Sequence, residues 1–260
     1  MHTFALDGRF SDTSRFAVAR QIRDALTVGG MRLDEAHPDI VICLGGDGSL
    51  LKSCNSRGYV GDFILLNGGT LGYLSEFKLS EWEKAVQAIL HNQPSYEVHR
   101  PLVVEDRLGH HAFAANDVSL IAPVRAINYE IFADGEKLAQ VHGSGLVAAT
   151  ALGSTAFSMS IGGPVLLTGD EVFSLTLAAP IRNRLTQPPF ESCVLRSSTL
   201  IKIKLEQNSR LYRIAVDGID SPQINGHELF IYMSKTKQFR LLHYHEKSKI
   251  KRVYQSFSLN

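Results

Sequence analysis

Cysteine is scarce in this chain, and no sign of charge dominates it. The three cysteines, Cys43, Cys54 and Cys193, stand apart without C-x-x-C spacing. They support neither a disulfide framework nor a zinc site, and reduced thiols in a cytoplasmic protein are the expectation. A net charge of +1 leaves no electrostatic footprint for nucleic acid. No apolar run approaches the roughly 18 residues that a membrane span needs. The N-terminus lacks a basic stretch followed by an apolar one, so no secretory leader is expected. Two further absences narrow the chemistry. There is no G-x-x-x-x-G-K-[ST] phosphate loop, and His110, His111, His142, His243 and His245 have no H-E-x-x-H context, so no metal ligand is expected from them. Internal repeats and low-complexity segments are also missing.

What is present is a globular composition, with 44% hydrophobic and 20% charged residues over 260 positions. That length suits one large domain or two ordinary ones. The chain is organised around Val41 to Leu51. An apolar run, Ile40 to Leu44, reads as a buried strand; Gly45, Gly46 and Gly48 then surround Asp47, and a second apolar run follows Ser49. Ser49 is a good helix N-cap. A strand, a glycine loop and a helix start collect anions, because the first N–H groups of a helix lack internal partners and the dipole adds partial positive charge. A carboxylate beside a phosphate is repulsive, so Asp47 needs a task. It holds a hydroxyl awaiting phosphorylation, acts through a metal, or is simply exposed on a strand-to-helix turn.

Along the chain, residues 3–6 read as a strand ending at Asp7-Gly8, followed by a helix from Ser11 or Asp12 to about Val28. Phe63 to Leu66 is a further buried strand, running into a second glycine loop, Asn67 to Leu74. Ser80 to Glu83 reads as a capping box opening a helix that carries Trp82, Val86, Ile89 and Leu90. This strand–helix alternation argues for a parallel sheet, with both glycine loops at its ligand-binding edge. After Pro94 the segments become short and alternating, with turns at Asp106 to Gly109 and Asp134-Gly135. The expected division is an α/β domain at 1–95, a β-rich domain at 96–240, and a tail, 241–260, that returns to the first domain.

Two features of the β-rich half could bear chemistry. In Thr150 to Pro164, hydroxyls and glycines crowd a short helix expected at 154–160. Such a surface suits either a flat polar ligand or tight packing with the hydroxyls bonded to their own backbone. Asn116-Asp117 follows an apolar strand and is either a grip for ribose hydroxyls or an ordinary turn pair. The dinucleotide-like spacing Gly143-x-Gly145-x-x-Ala148 is discounted, since Leu146 to Ala149 reads as strand.

Taken in order, these segments resemble the NAD kinase family. The likeness runs from about residue 38 to 220: Gly45-Gly46-Asp47-Gly48-Ser49, Asn67 to Leu74, Asn116-Asp117, residues 150–164, and Asp217-Gly218. It implies a Rossmann-like α/β domain, a C-terminal β-sandwich-like domain, and an active site in the cleft between them. It implies transfer of the γ-phosphoryl of ATP to the adenosine-ribose 2′-hydroxyl of NAD, with a divalent metal, Mg²⁺ by preference. Asp47 would be the general base or hydroxyl orienter. Gly45, Gly46, Gly48, Asn67 and Gly68 would hold ATP phosphates. NAD would meet Asp47, Gly48, Tyr73, Asn116, Asp117, His142, Ser144, Thr155, Ala156, Phe157, Ser158 and Ser160. A homodimer or homotetramer is implied, with no nucleic-acid or membrane partner.

The chain departs from the family pattern at three places. Gly143-Ser144-Gly145 stands where Gly-Asp-Gly is usual, Ala151-Leu152 replaces Pro-Thr, and Phe157 replaces Tyr. A related kinase with a changed acceptor, a nucleoside or lipid alcohol, is therefore the alternative. A non-catalytic NAD(P)-binding regulator is another.

Overall fold

The structure is a computed structural model. It describes residues 2–8, 13–69, 72–167, 169, 171–184, 187–206, 212–245, 250 and 253. The chain divides into two compact units, residues 1–99 with 238–260, and residues 100–237.

The first unit is α/β. Its elements are β1 (Thr3–Gly8), α1 (Thr13–Val28), β2 (Arg32–Leu33), β3 (Ile40–Gly45), α2 (Asp47–Ser56), β4 (Val60–Asn67), β5 (Phe77–Lys78), α3 (Trp82–His91) and β6 (Ser95–His99). The sheet runs β2-β1-β3-β4, then the closing strand Gln238–His243, then β6, with β5 beside β4. All pairings are parallel except that of the closing strand with β6. Phe4, Ile42, Leu44, Ile64 and Leu66 meet Ile22 and Leu26 of α1 and Val86 of α3 in one core. Strands buried on both faces read as continuous apolar runs, which is why β3 and β4 were visible in the sequence.

The division differs from the expected one at both joints. Residues 96–99 and 238–240 belong to the first unit. Side chains explain why. Arg240 forms a two-pronged ion pair with Asp62 of β4, at 2.5 and 2.6 Å, and lies over the Tyr96 ring. Phe239 packs among Tyr59, Phe63 and His99. Full burial of such a ring stabilises by about 2–3 kcal/mol, enough to fix one strand between two others. Of the tail, residues 246–249, 251–252 and 254–260 lie outside the described residues.

The second unit holds β7 (Leu102–Asp106), β8 (His111–Ala114), β9 (Asp117–Ile121), β10 (Ile127–Ala133), β11 (Glu136–Gly143), β12 (Gly145–Thr150), a single helical turn α4 (Phe157–Ser160), β13 (Val172–Ala178), β14 (Ser192–Arg196), β15 (Ile201–Leu205), β16 (Arg213–Val216), β17 (Ile219–Asp220) and β18 (Glu228–Met233). They form two six-stranded antiparallel sheets, β11-β10-β15-β18-β7-β8 and β14-β13-β12-β9-β16-β17. Side chains of both sheets share one core, including Tyr129, Ile131, Ile203 and Ile231 of the first and Leu120, Leu146, Phe173 and Leu175 of the second. That is a sandwich, as the alternation of Ile201, Ile203 and Leu205 with Lys202 and Lys204 anticipates. The β10–β11 hairpin turns on Asp134-Gly135, both at positive φ (50° and 90°), the signature of a type I′ turn. Among the described residues, no helix is long and apolar enough to cross a membrane.

Candidate active site

In the first unit the two glycine loops leave the C-terminal ends of the adjacent strands β3 and β4, and Gly68 N–H donates to Gly45 C=O at 3.1 Å. Helix α2 begins at Asp47, not at the expected Ser49, with Gly46 as an N-cap that offers no side-chain acceptor. Ser49 instead lies inside the first turn, its N–H donating to Gly46 C=O at 2.8 Å. The helix starts early because Gly45, at φ 157°, completes the turn out of the strand. An acid in the first turn also suits the positive end of the dipole.

The Asp47 carboxylate accepts N–H groups of Tyr73 (3.1 Å) and Leu74 (3.0 Å), so the second glycine loop fixes the acid of the first. Burial pushes its pKa up, and the Leu74 and Tyr73 amides oppose that rise. Asn67 supports the same region, with Oδ1 accepting Gly69 N–H at 2.8 Å. Thr70 and Leu71 lie outside the described residues. The expected cap at Ser80 is instead made by Glu81, which accepts Lys78 N–H at 3.1 Å ahead of a 3-10 turn.

Beside this loop is a cavity of about 490 Å³ lined by Gly46, Gly48, Ser49, Arg15 and Lys52, together with Asp7 and the serines of α2. Its acid is already matched, because Arg57 grips Asp7 with two bonds of 2.9 Å and Ser53 donates to it. Arg15, which donates to Gly68 C=O at 3.3 Å, and Lys52 line the cavity beside a glycine-lined helix N-terminus, an arrangement suited to phosphate. Asp47 is not part of the lining. Arg15 and Lys52 were missed in the sequence: Lys52 is one turn along the helix from Gly48, a legible offset, whereas nothing local marks Arg15.

In the second unit Asn116 and Asp117 are held by Asp217, which sits at a turn with φ 49°. Its carboxylate accepts the N–H groups of Ala115 (2.9 Å), Asn116 (2.7 Å) and Asp117 (3.2 Å). Asp117 opens β9 rather than closing the strand before it. Its pKa is pushed up to about 7 by burial and by the neighbouring Asp217 charge. Asn116 Oδ1 is buried without a hydrogen-bond partner.

The segment 150–164 starts at the last residue of β12 and runs through a 3-10 turn, Gly153–Thr155, and α4. Thr150 donates to Ala115 C=O at 2.6 Å, and Ser154 donates to Ala151 C=O and accepts Leu166 N–H. Gly153 passes so close to Asn116 that a Cβ there would lie 2.1 Å from its carbonyl oxygen. Thr155 and Ala156 are half-buried; Phe157 and Ser160 are exposed. Ser158 departs from its expected place in a ligand pocket. It is fully buried, its hydroxyl 3.3 Å from that of Thr176, because the other face of β13 carries the apolar core. Ser144 is half-buried and His142 likewise, both anchored by backbone bonds to the segment 178–181.

Among the described residues, no group of three or more His, Cys, Asp or Glu is arranged to hold a metal ion.

Comparison with known proteins finds a family, sequence relatives and solved structures similar to this chain. The family described as ATP-NAD kinase C-terminal domain matches residues 116–243. The NAD kinase of Clostridium beijerinckii is 30% identical over 211 residues, covering 78% of this chain and 72% of the relative. That of Chlorobium chlorochromatii is 33% identical over 199 residues, covering 74% and 67%. Among solved structures, yeast NADH kinase complexed with NADH matches with a TM-score of 0.81 at 20% identity, over 97% of this chain and 86% of that one. An NAD kinase from Archaeoglobus fulgidus in complex with ATP matches with 0.75 at 18% identity, over 98% of each.

Proposed function

The chain belongs to the NAD kinase family, and we propose that it transfers the γ-phosphoryl of ATP to the adenosine-ribose 2′-hydroxyl of NAD, giving NADP. One observation carries the site assignment. The Gly45–Ser49 loop offers its glycine backbone, with Arg15 and Lys52, to a cavity, while its acid is turned away to the amides of Tyr73 and Leu74. Phosphates of the donor occupy the cavity, and the acid is left for the acceptor. Phosphoryl transfer needs little covalent help from the protein: positioning, charge neutralisation and a place for one proton suffice.

Asp47 orients the 2′-hydroxyl and takes its proton as the oxygen bonds to phosphorus and the bond to the leaving ADP oxygen breaks. Its raised pKa makes it a better base than a surface carboxylate. Gly45, Gly46, Gly48, Asn67 and Gly68 shape the phosphate loop. Asn116, whose Oδ1 lacks a protein partner, and Asp117 hold NAD hydroxyls or amide. Tyr73, Thr155, Ala156, Phe157 and Ser160 supply contact surface, with His142 and Ser144 at a further edge. A divalent cation bound through the nucleotide phosphates would supply neutralisation of their charge. A reducing cytoplasm suits the three free thiols, and the assembly is a homodimer or homotetramer, which light scattering would size.

The test is to mix the full chain with NAD, ATP and Mg²⁺ and follow NADP. Formation of NADP, reduced on the order of 10²-fold or more by Asp47→Asn, is expected. No NADP, with another alcohol phosphorylated, would establish the changed-acceptor reading, which Ser144 in place of the family's usual aspartate favours. NAD binding with no turnover at all, and no difference in Asp47→Asn, would establish a regulator.

A further inference from the structure

A second buried carboxylate lies two residues beyond the segment that holds Asp47. Glu76 is 4% exposed, and four hydrogen bonds reach it from the end of the closing strand and the residues after it. His243 Nδ1 is 3.1 Å from Oε2. Tyr244 N–H (2.9 Å), His245 N–H (2.8 Å) and His245 Nδ1 (2.8 Å) converge on Oε1. A carboxylate only accepts, so both imidazoles carry their proton on Nδ1. Glu76 N–H in turn donates to Leu65 C=O of β4 at 3.0 Å, and the Phe77 ring meets the His245 ring at 5.0 Å. Donors and acceptor are 167 to 169 positions apart, and all lie in the first unit.

The consequence runs through three residues. Tyr73 and Leu74 donate to Asp47, and Ser75 closes a tight turn back to Gly72 C=O through its N–H (3.2 Å) and its hydroxyl (2.7 Å). Glu76 is the next residue, and its carboxylate ties the end of that turn to the sheet. Charged buried acceptors with several donors are among the stronger tethers available to a loop. We propose that Glu76, gripped by His243 and His245, is a positioning residue that keeps the Tyr73 and Leu74 amides aimed at Asp47. The inference rests on the reading of Asp47 as the hydroxyl-orienting acid. Other titratable groups around the cluster are Tyr244, Glu97 of β6, Asp62 of β4, and Glu83, Lys84 and His91 of α3, the last three lining a cavity with His245.

If the amides are loosened, burial of Asp47 goes unopposed and its pKa rises further. Glu76→Gln should therefore lower kcat about tenfold, leave KM for NAD and ATP within about twofold, and move the acid limb of the kcat profile to higher pH. The same upward shift should appear in a ¹³C titration of the Asp47 carboxyl, which reports on that group whatever its role. Should Glu76→Gln fail to fold, the pair His243→Leu and His243→Asn decides. Leu should reproduce the shift, and Asn, which keeps a donor near the Nδ1 position, should restore the native profile. An Asp47 titration that stays at its native value in these folded variants would overturn the inference. Full turnover in Asp47→Asn would instead overturn the reading of the acid itself.

Discussion

Two pairs of motif glycines, one pair in each unit, meet opposite demands. A Cβ built at Gly46 or Gly48 meets nothing within 4 Å. At Gly145 it would lie 1.9 Å from Leu120 C=O, and at Gly153 2.1 Å from Asn116 C=O. The first pair leaves space that the folded chain does not fill, as an anion approaching the backbone requires. The second pair is demanded by the protein itself, where β12 and the turn after it press on neighbouring backbone. Motif glycines are thus not one class. Those beside Asp47 are not needed for packing, which is what the proposed phosphate site asks of them, and those in the sandwich let neighbouring backbone close.

The sharpest break of this contrast is Gly153→Ala or Gly145→Ala. Neither backbone can yield 1 Å without disrupting a sheet, so a loss above about 4 kcal/mol, or no folded protein, is expected. Urea denaturation or soluble yield checks it, and a stable alanine variant would erase the contrast. Gly46→Ala should be its mirror image. Stability should change by less than about 1 kcal/mol, while KM for ATP rises about tenfold because the added methyl occupies the approach of a phosphate.

The carboxylates extend the comparison more gently. Asp217 has three amide donors and Asp47 has two, while Asp117 bears a pKa near 7 beside a like charge. A folded-state pKa above the ordinary carboxylate value means that the native state holds the extra proton. Stability should therefore fall as pH rises from about 4 to about 7 and level off above it. Asp117→Asn should flatten that slope and gain on the order of 1–2 kcal/mol at pH 8 relative to pH 5, read by urea unfolding at both values. With Asp117 in its proposed role of holding NAD, a modest rise in KM for NAD, within about tenfold, should accompany the gain.

The amino-acid order alone determined a good deal. Buried parallel strands announce themselves as apolar runs, which made β3 and β4 readable, and the two glycine loops follow from their position after those strands. The alternation of residues 201–205 gave away a sandwich strand, and Asp134-Gly135 a hairpin, because both are local signals. Asp47 stood out as an acid in an anion loop. Tertiary structure decided what has no local cause. Ser49 lost its cap role to a turn completed by Gly45, and Ser158 turned inward because β13 has only one apolar face. Residues 96–99 and 238–240 joined the first sheet through Arg240 and Phe239. Arg15 at the phosphate cavity, Asp217 beneath residues 115–117, and the two histidines on Glu76 are contacts between positions distant in sequence. A hydrogen bond or ion pair of that kind leaves no periodicity behind; only the folded chain brings its partners together.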